Sequence, residues 1–151
     1  MPERTMPDYF RLFNEIGIIG QLSRALLEAR LPPGFVAAQF SVLNHLARVG
    51  DGSTPLVIAQ AFQVPKNSMT HSLNVLEREG LIEIRRNPQD GRSKLVYITD
   101  KGRMFRDEVI AALAPEIARI AAAFPPDFVE RLLPDLETLR KFLDADRDVP
   151  N

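Results

Sequence analysis

The apolar positions of the chain first recur at helical spacing. Phe10, Phe13, Ile16, Ile19 or Gly20, and then Leu26 or Leu27 form one stripe and predict a helix over residues 8–30. Leu12, Ile18 and Leu22 spread apolar surface to other sides, so this helix is expected to be covered by more than one neighbour. A dimer interface and a deep monomer core both fit that pattern. Residues 1–7 read as a loose arm, and Leu31-Pro32-Pro33-Gly34 is a hard break. Val36, Phe40, Leu43 and Ala47, with Leu46 beside them, predict a second helix ending near Val49. Ser41, His45 and Arg48 share its other face. A turn at Gly50-Asp51-Gly52 leads to Thr54-Pro55, the N-cap and first-turn residues of a third helix, with Leu56, Ala59 and Phe62 expected to face inward. After a short turn at residues 63–65, Met69, Leu73 and Leu76 mark the buried stripe of a fourth helix. Its opposite face carries Asn67, His71, Asn74 and Arg78, with Gly80 placed to end it.

From residue 82 the period shortens to two. Ile82 and Ile84 alternate with Glu83 and Arg85, the pattern of a half-buried strand. Asn87, Pro88, Asp90 and Gly91 mark a turn, with Gly91 expected at positive φ. Leu95, Val96, Tyr97 and Ile98 supply the returning strand. Thr99 is the expected N-cap of a long helix carrying Phe105, Val109, Ile110, Leu113, Ile117 and Ile120, which Pro115 should kink or break. Phe124-Pro125-Pro126-Asp127 closes it and opens the last helix. There Phe128, Leu132, Leu139 and Leu143 repeat, Leu136 and Phe142 adjoin them, and Pro134 should cause a bend. Residues 144–151 read as a polar tail. The fold class is mainly α with a small β wing.

A helix with a polar face, reached through a short turn from another helix and followed by a hairpin with a basic tip, is the arrangement of a winged helix-turn-helix. The stretch VPKNSMTHSLNVLEREGLIEIRRNPQDGRSKLVYITDKG resembles the core of the MarR-type (multiple-antibiotic-resistance regulator) proteins. The closest points are the run from Leu76 to Ile82, the Asp90-Gly91-Arg92 wing tip, and the exit from Leu95 to Gly102. The resemblance implies a winged helix-turn-helix transcriptional regulator, a repressor working as a homodimer in the cytoplasm of a prokaryote. At 151 residues the chain reads as a single domain over residues 1–151, and the resemblance implies a DNA-binding lobe about 35–102. Terminal dimerisation helices would lie about 8–30 and 103–145. Two-fold symmetry would set two recognition helices roughly 34 Å apart on a pseudo-palindromic double-stranded operator. Such proteins respond to small aromatic or phenolic effectors held between the dimer helices and the DNA-binding lobe. Phe13, Phe35, Phe40 and Phe62 could line that pocket, with His45 meeting a ligand carboxylate; a plain core for the rings and a solvated His45 are the competing assignments.

Chemistry singles out the DNA contacts. Asn67 and Asn74 can bond adenine bidentately, and Thr70 can bond a base or touch a thymine methyl. His71 stands where the resemblance leads one to expect Arg, which makes it a shorter and weaker reader. Lys66 and Ser68, at the helix start, suit phosphate, although Ser68 equally suits a backbone-capping role. By resemblance Arg92 enters the minor groove or meets its phosphates, with Asp90 either holding its guanidinium or simply forming the turn. Arg86 and Lys94, like Arg85, are phosphate contacts or plain surface charges.

A net charge of −1 hides an uneven distribution. Residues 55–106 hold nine Lys and Arg against five Asp and Glu, an excess of +4, so the remainder carries −5. A basic middle with acidic flanks suits a local nucleic-acid footprint. With no cysteine, disulfides, thiolate metal sites and thiol-based sensing are excluded. No apolar run reaches membrane-spanning length, and the first ten residues do not read as a signal peptide. Two histidines, no glycine-rich phosphate loop and no nucleophile–base constellation speak against an enzyme, a metal site or a cofactor. The competing function is a winged helix used for protein–protein interaction without DNA readout.

Overall fold

The computed structural model describes residues 6–146. The described residues form helices α1 (Met6–Glu28), α2 (Ala37–Val49), α3 (Pro55–Phe62) and α4 (Lys66–Arg78), then strands β1 (Ile82–Arg86) and β2 (Lys94–Ile98). Helices α5 (Asp100–Ala112), α6 (Ala114–Ala123) and α7 (Pro126–Asp146) follow. The chain divides into two compact units, one ending at Leu113 and the other starting at Ala114.

In the first unit the core joins one face of α2, α3 and α4 to the inner face of the hairpin. Val42, Leu43 and Leu46 meet Ile58, Met69, Leu73 and Leu76, and Leu81, Ile82, Val96 and Ile98 close the cluster. Among the described residues no buried side-chain nitrogen or oxygen lacks a hydrogen-bond partner. The start of α2 shows how the satisfaction is achieved. Val36 is its N-cap and has no side-chain acceptor, so Gln39 Oε1 accepts from Val36 N at 3.1 Å and Glu28 Oε1, from the end of α1, accepts from Ala37 N at 3.1 Å. At α3 the expected cap is present: Thr54 Oγ1 accepts from Val57 N, with Pro55 at the first position.

Several expectations need correction. Met6 and Pro7 belong to α1 and not to an arm, while residues 1–5 of that expected arm lie outside the described residues. Asp144 to Asp146 continue α7, and the rest of the expected tail lies outside the described residues. Val36 is exposed because it precedes the first turn of α2. Leu56, at 52% exposure, faces out; Ile58, at 0%, takes the inward place, because α3 is only two turns long and its buried line runs through Ile58 and Ala59. Nor does α1 bury any residue: Phe10 is 74% exposed, and only Ile16, Leu26 and Leu27 are partly covered within it. Burial within the single chain therefore does not account for its apolar faces.

The helix break falls at Leu113, the last residue of the first unit and just before Pro115, and in the second unit Pro134 lies inside α7 without dividing it. Neither α6 nor α7 buries a residue, and Phe128, Leu132, Leu136 and Leu143 are exposed along α7.

Candidate nucleic-acid interface

Helices α3 and α4 are joined by a turn that depends on one residue in the left-handed region. Gln63 has φ 51° and ψ 44°, and Val64 N donates to Ala59 O at 3.1 Å. Helix α4 then divides cleanly. Met69, Ser72, Leu73, Val75 and Leu76 are buried. Lys66, Asn67, Ser68, Thr70, His71 and Asn74 are all exposed. Every residue proposed from sequence for the groove thus lies on the solvent side of one helix. The Thr70 hydroxyl donates to Lys66 O at 2.9 Å, which leaves its lone pairs and methyl for an external partner. Ser68 makes no hydrogen bond to cap the helix, whose N-cap is Pro65 without a side-chain bond.

The far end of α4 is fixed in three ways. Gly80 takes φ 74°, Leu81 N donates to Leu76 O at 2.9 Å, and Gly80 N donates to Glu77 O at 2.9 Å, a Schellman ending. Lys101 Nζ donates to Glu79 O at 2.7 Å, placing a cation at the negative end of the helix. Thr99 then does double duty. Its hydroxyl donates to Gly80 O at 2.7 Å and accepts from Gly102 N at 3.0 Å, tying α4, β2 and α5 at one point.

The wing is an antiparallel hairpin with Ile82 opposite Ile98 and Arg86 opposite Lys94. Its tip, residues 87–93, is closed by its own side chains. Asn87 Oδ1 accepts from Gln89 N at 3.0 Å, Asn87 Nδ2 donates to Ser93 Oγ at 2.9 Å, and Ser93 N donates to Asp90 O at 3.1 Å. Asp90 Oδ1 accepts from the backbone N of Arg92 at 3.0 Å. Of the two roles open to Asp90, the structure assigns turn formation: an Asx turn satisfies its carboxylate on the main chain. Gly91, expected at positive φ, does not adopt it. Its need is for space, since a Cβ there would lie 2.9 Å from Arg86 Nη2, so the Arg86 side chain rests on the tip.

The nine basic residues of this region fall into two groups. Five are engaged. Arg85 bonds Glu83 at 3.1 Å and lies 4.3 Å over the Tyr97 ring, while Arg103 meets Asp51 at 3.3 Å. Arg106 bonds Asn44 and Asp107, Lys101 caps α4, and Arg78 sits 3.9 Å from Glu79. The bond to Arg85, and then its charge, hold the Glu83 carboxyl below its ordinary range; the same bond raises the Arg85 guanidinium. The other four, Lys66, Arg86, Arg92 and Lys94, have no ion pair or hydrogen bond of the side chain among the described residues. Three of these, Arg86, Arg92 and Lys94, line a cleft of about 350 Å³ between α4 and the wing, together with Asn74 and Glu77. Glu77 was not foreseen. It is exposed and lies three residues after Asn74, so helical spacing alone would have placed it on this face.

The five residues considered for an effector pocket do not gather in one place. Phe40 is core, Phe35 packs on Phe105 with ring centroids 4.8 Å apart, and Phe13 is exposed on α1. His45 meets the edge of Phe62 at 5.4 Å. Burial, and then the neighbouring charge of Arg48, lower the His45 pKa from 6.5. Only Phe62 borders a cleft of about 230 Å³, which is also lined by Arg24, Ser41, Val64, Ser68 and Met69. Arg24 is not legible as a lining residue from sequence, and Ser41 reads there only as part of a shared face with His45 and Arg48; both lie far from Met69 in sequence and carry no motif.

Among the described residues no helix is long and apolar enough to cross a membrane. None of them form a group of three or more His, Asp or Glu able to hold a metal ion.

Comparison with known proteins agrees with this geometry. The MarR family model matches residues 34–93, the stretch that builds α2, the helix-turn-helix and most of the wing. The uncharacterised HTH-type transcriptional regulator YkoM of Bacillus subtilis (strain 168) is 30% identical over 100 residues. That match covers 66% of this chain and 64% of YkoM, so the chain spans somewhat less than two thirds of that relative. Among solved structures, the transcriptional regulator BldR of Sulfolobus solfataricus shares the fold with a TM-score of 0.77 at 24% identity, covering 93% of this chain and 99% of BldR. A mutant MarR from E. coli, solved in complex with operator DNA, has a TM-score of 0.71 at 25% identity and covers 87% and 95% of the two chains.

Proposed function

We propose that this chain, which belongs to the MarR family, is a sequence-specific double-stranded DNA-binding transcriptional regulator, a dimeric repressor released by a small ligand. The observation that carries the reading is the continuity of the exposed face of α4 with the unpaired cations of the wing. Asn67, Thr70, His71 and Asn74 offer hydrogen-bonding groups of the size that reads base edges, and Lys66, Ser68, Arg86, Arg92 and Lys94 offer contacts for phosphate. Asp90 serves by shaping the tip that carries Arg92. The likeness to a MarR protein solved with operator DNA supports the same assignment.

A homodimer covers what the single chain leaves open. The apolar faces of α1 and of α7 are each exposed, and exposed patches of this kind mark interaction surfaces. In this reading residues 8–30 and 103–145 form the dimerisation region and residues 35–102 the DNA-binding lobe of one domain. A small aromatic or phenolic effector fits the cleft at Phe62, where Arg24 supplies a counter-charge and Met69 belongs to the recognition helix itself. A ligand there that favours one placement of α4 over another shifts DNA affinity by its preference between the two. The site of action is the cytoplasm, where the DNA is.

The test is a gel-shift titration of the protein on the DNA upstream of its own gene, with a shuffled duplex of the same composition beside it. Retardation of the upstream duplex well before the shuffled one supports the reading. No retardation of either at low salt removes it and leaves a protein-interaction module.

A further inference from the structure

We propose that Asp51 is a positioning residue for the wing: it sets the angle at which the hairpin leaves the lobe, and so the place of Arg92. The inference rests on the DNA-binding reading above and adds to it a residue outside the contact surface.

The hairpin has only two strands, and a two-stranded sheet is marginal without support. Its inner face is held by Ile82, Val96 and Ile98 in the core. The free edge of β2 is held by the α2–α3 loop. Val96 N donates to Ser53 O at 2.9 Å and Gly52 N donates to Val96 O at 2.9 Å. Two residues on, the Ile98 N–H points to the same edge, where the loop backbone offers no further carbonyl. The Asp51 carboxylate takes its place, with Oδ1 accepting from Ile98 N at 2.8 Å. Its other oxygen accepts from Arg103 Nη2 at 3.3 Å, in the first turn of α5. One half-buried carboxylate therefore joins a loop, a strand and a helix. It also offsets the repulsion a cation feels at a helix N-terminus, which Arg103 would otherwise meet.

The lever is long. Six residues separate Ile98 from Arg92, so at about 3.3 Å per residue the tip stands about 20 Å from this anchor. A tilt of about 10° would move it about 3.5 Å, as much as a hydrogen-bond length. Loss of the Asp51 grip should leave the fold standing, because the Ser53–Val96 bridge and the core contacts of Val96 and Ile98 do not involve it.

The test uses the full chain with Asp51→Asn, Arg103→Gln, the double variant, and Arg92→Ala in each background. Asn keeps an oxygen for Ile98 N and loses the charge. The expected result is a fall in operator affinity of about two- to fivefold for either single change, the range for a partly exposed ion pair. The double variant should be no weaker than the singles, and the effect of Arg92→Ala should shrink in the Asp51→Asn background. An undiminished Arg92→Ala effect overturns the proposal, even if the melting temperature falls. So does unchanged affinity in both single variants. Backbone relaxation by NMR decides the matter without DNA. Mobility that rises at residues 89–93 in Asp51→Asn but not at residues 66–78 supports the anchor; unchanged mobility overturns it. Should the wild-type protein bind no DNA, the regulator reading fails alone and the relaxation result still judges Asp51.

Discussion

Replacing Gly102 by Ala sets two effects of opposite sign against each other. Gly102 lies in the first turn of α5 and has no positive φ, so Ala fits its backbone conformation. Helix propensity alone then predicts a gain of at most about 1 kcal/mol. Packing predicts the reverse. Gly102 is buried, and a Cβ built on it would run into the carbonyl oxygen of Leu81 and lie 2.9 Å from Ile98 Cγ1. Leu81 is held by its own bonds, donating to Leu76 O and accepting from Thr99 N at 3.1 Å, so the obstacle is main chain and cannot swing aside. Overpacking of a tight site costs about 1–3 kcal/mol. Moving α5 away also strains the Thr99 cap, worth about 1 kcal/mol more. The packing terms win, and the variant should be destabilised by about 1–3 kcal/mol net. Urea unfolding at constant m-value reads this as a lower midpoint. Met104→Ala, two residues on and largely exposed, is the control and should stay within about 0.5 kcal/mol of wild type. An unchanged or raised midpoint for Gly102→Ala would mean that α5 does not press on Leu81.

The division of the basic residues into free and engaged predicts different results for neighbours. Arg92→Ala should weaken operator binding by about 1–3 kcal/mol if it reads a base edge, whereas Arg85→Ala, whose guanidinium is taken by Glu83 and Tyr97, should change affinity much less; titrations by fluorescence anisotropy compare them. Light scattering at micromolar concentration should give twice the chain mass of 17.0 kDa, and a monomer would leave the apolar faces of α1 and α7 unexplained. His45 titrates below 6.5 in the folded chain, so the unfolded chain takes up its proton first as the pH falls. Stability should therefore drop on acidification through about pH 6.5, and thermal melting of His45→Gln should show less of that drop.

The fold was legible wherever period and punctuation agreed. Met69, Leu73 and Leu76 recur on one side of a helix whose other side is Asn67, His71 and Asn74, and burial follows that division. Thr54, Gly80, Thr99 and Pro115 each mark a helix end as their chemistry dictates. Short α3 misled because its eight residues leave several ways to draw a stripe, and tertiary packing chose Ile58 over Leu56. The wing tip is legible as a turn, but the purpose of Gly91 is not. Room for the Arg86 side chain is a property of the folded hairpin that no spacing rule carries. The same holds for Asp51, 47 residues from Ile98 and 52 from Arg103, whose role exists only after three elements have met.

If the face of α4 and the free cations of the wing meet duplex DNA, two copies at a time, binding to the upstream duplex must depend steeply on salt. Four unpaired cations per copy, Lys66, Arg86, Arg92 and Lys94, set an upper limit of about −7 for the slope of log K against log salt, at about 0.9 per neutralised phosphate. A slope of several units, smaller when Arg92 is replaced by Ala, is expected; a slope near zero would mean that these cations meet no phosphate.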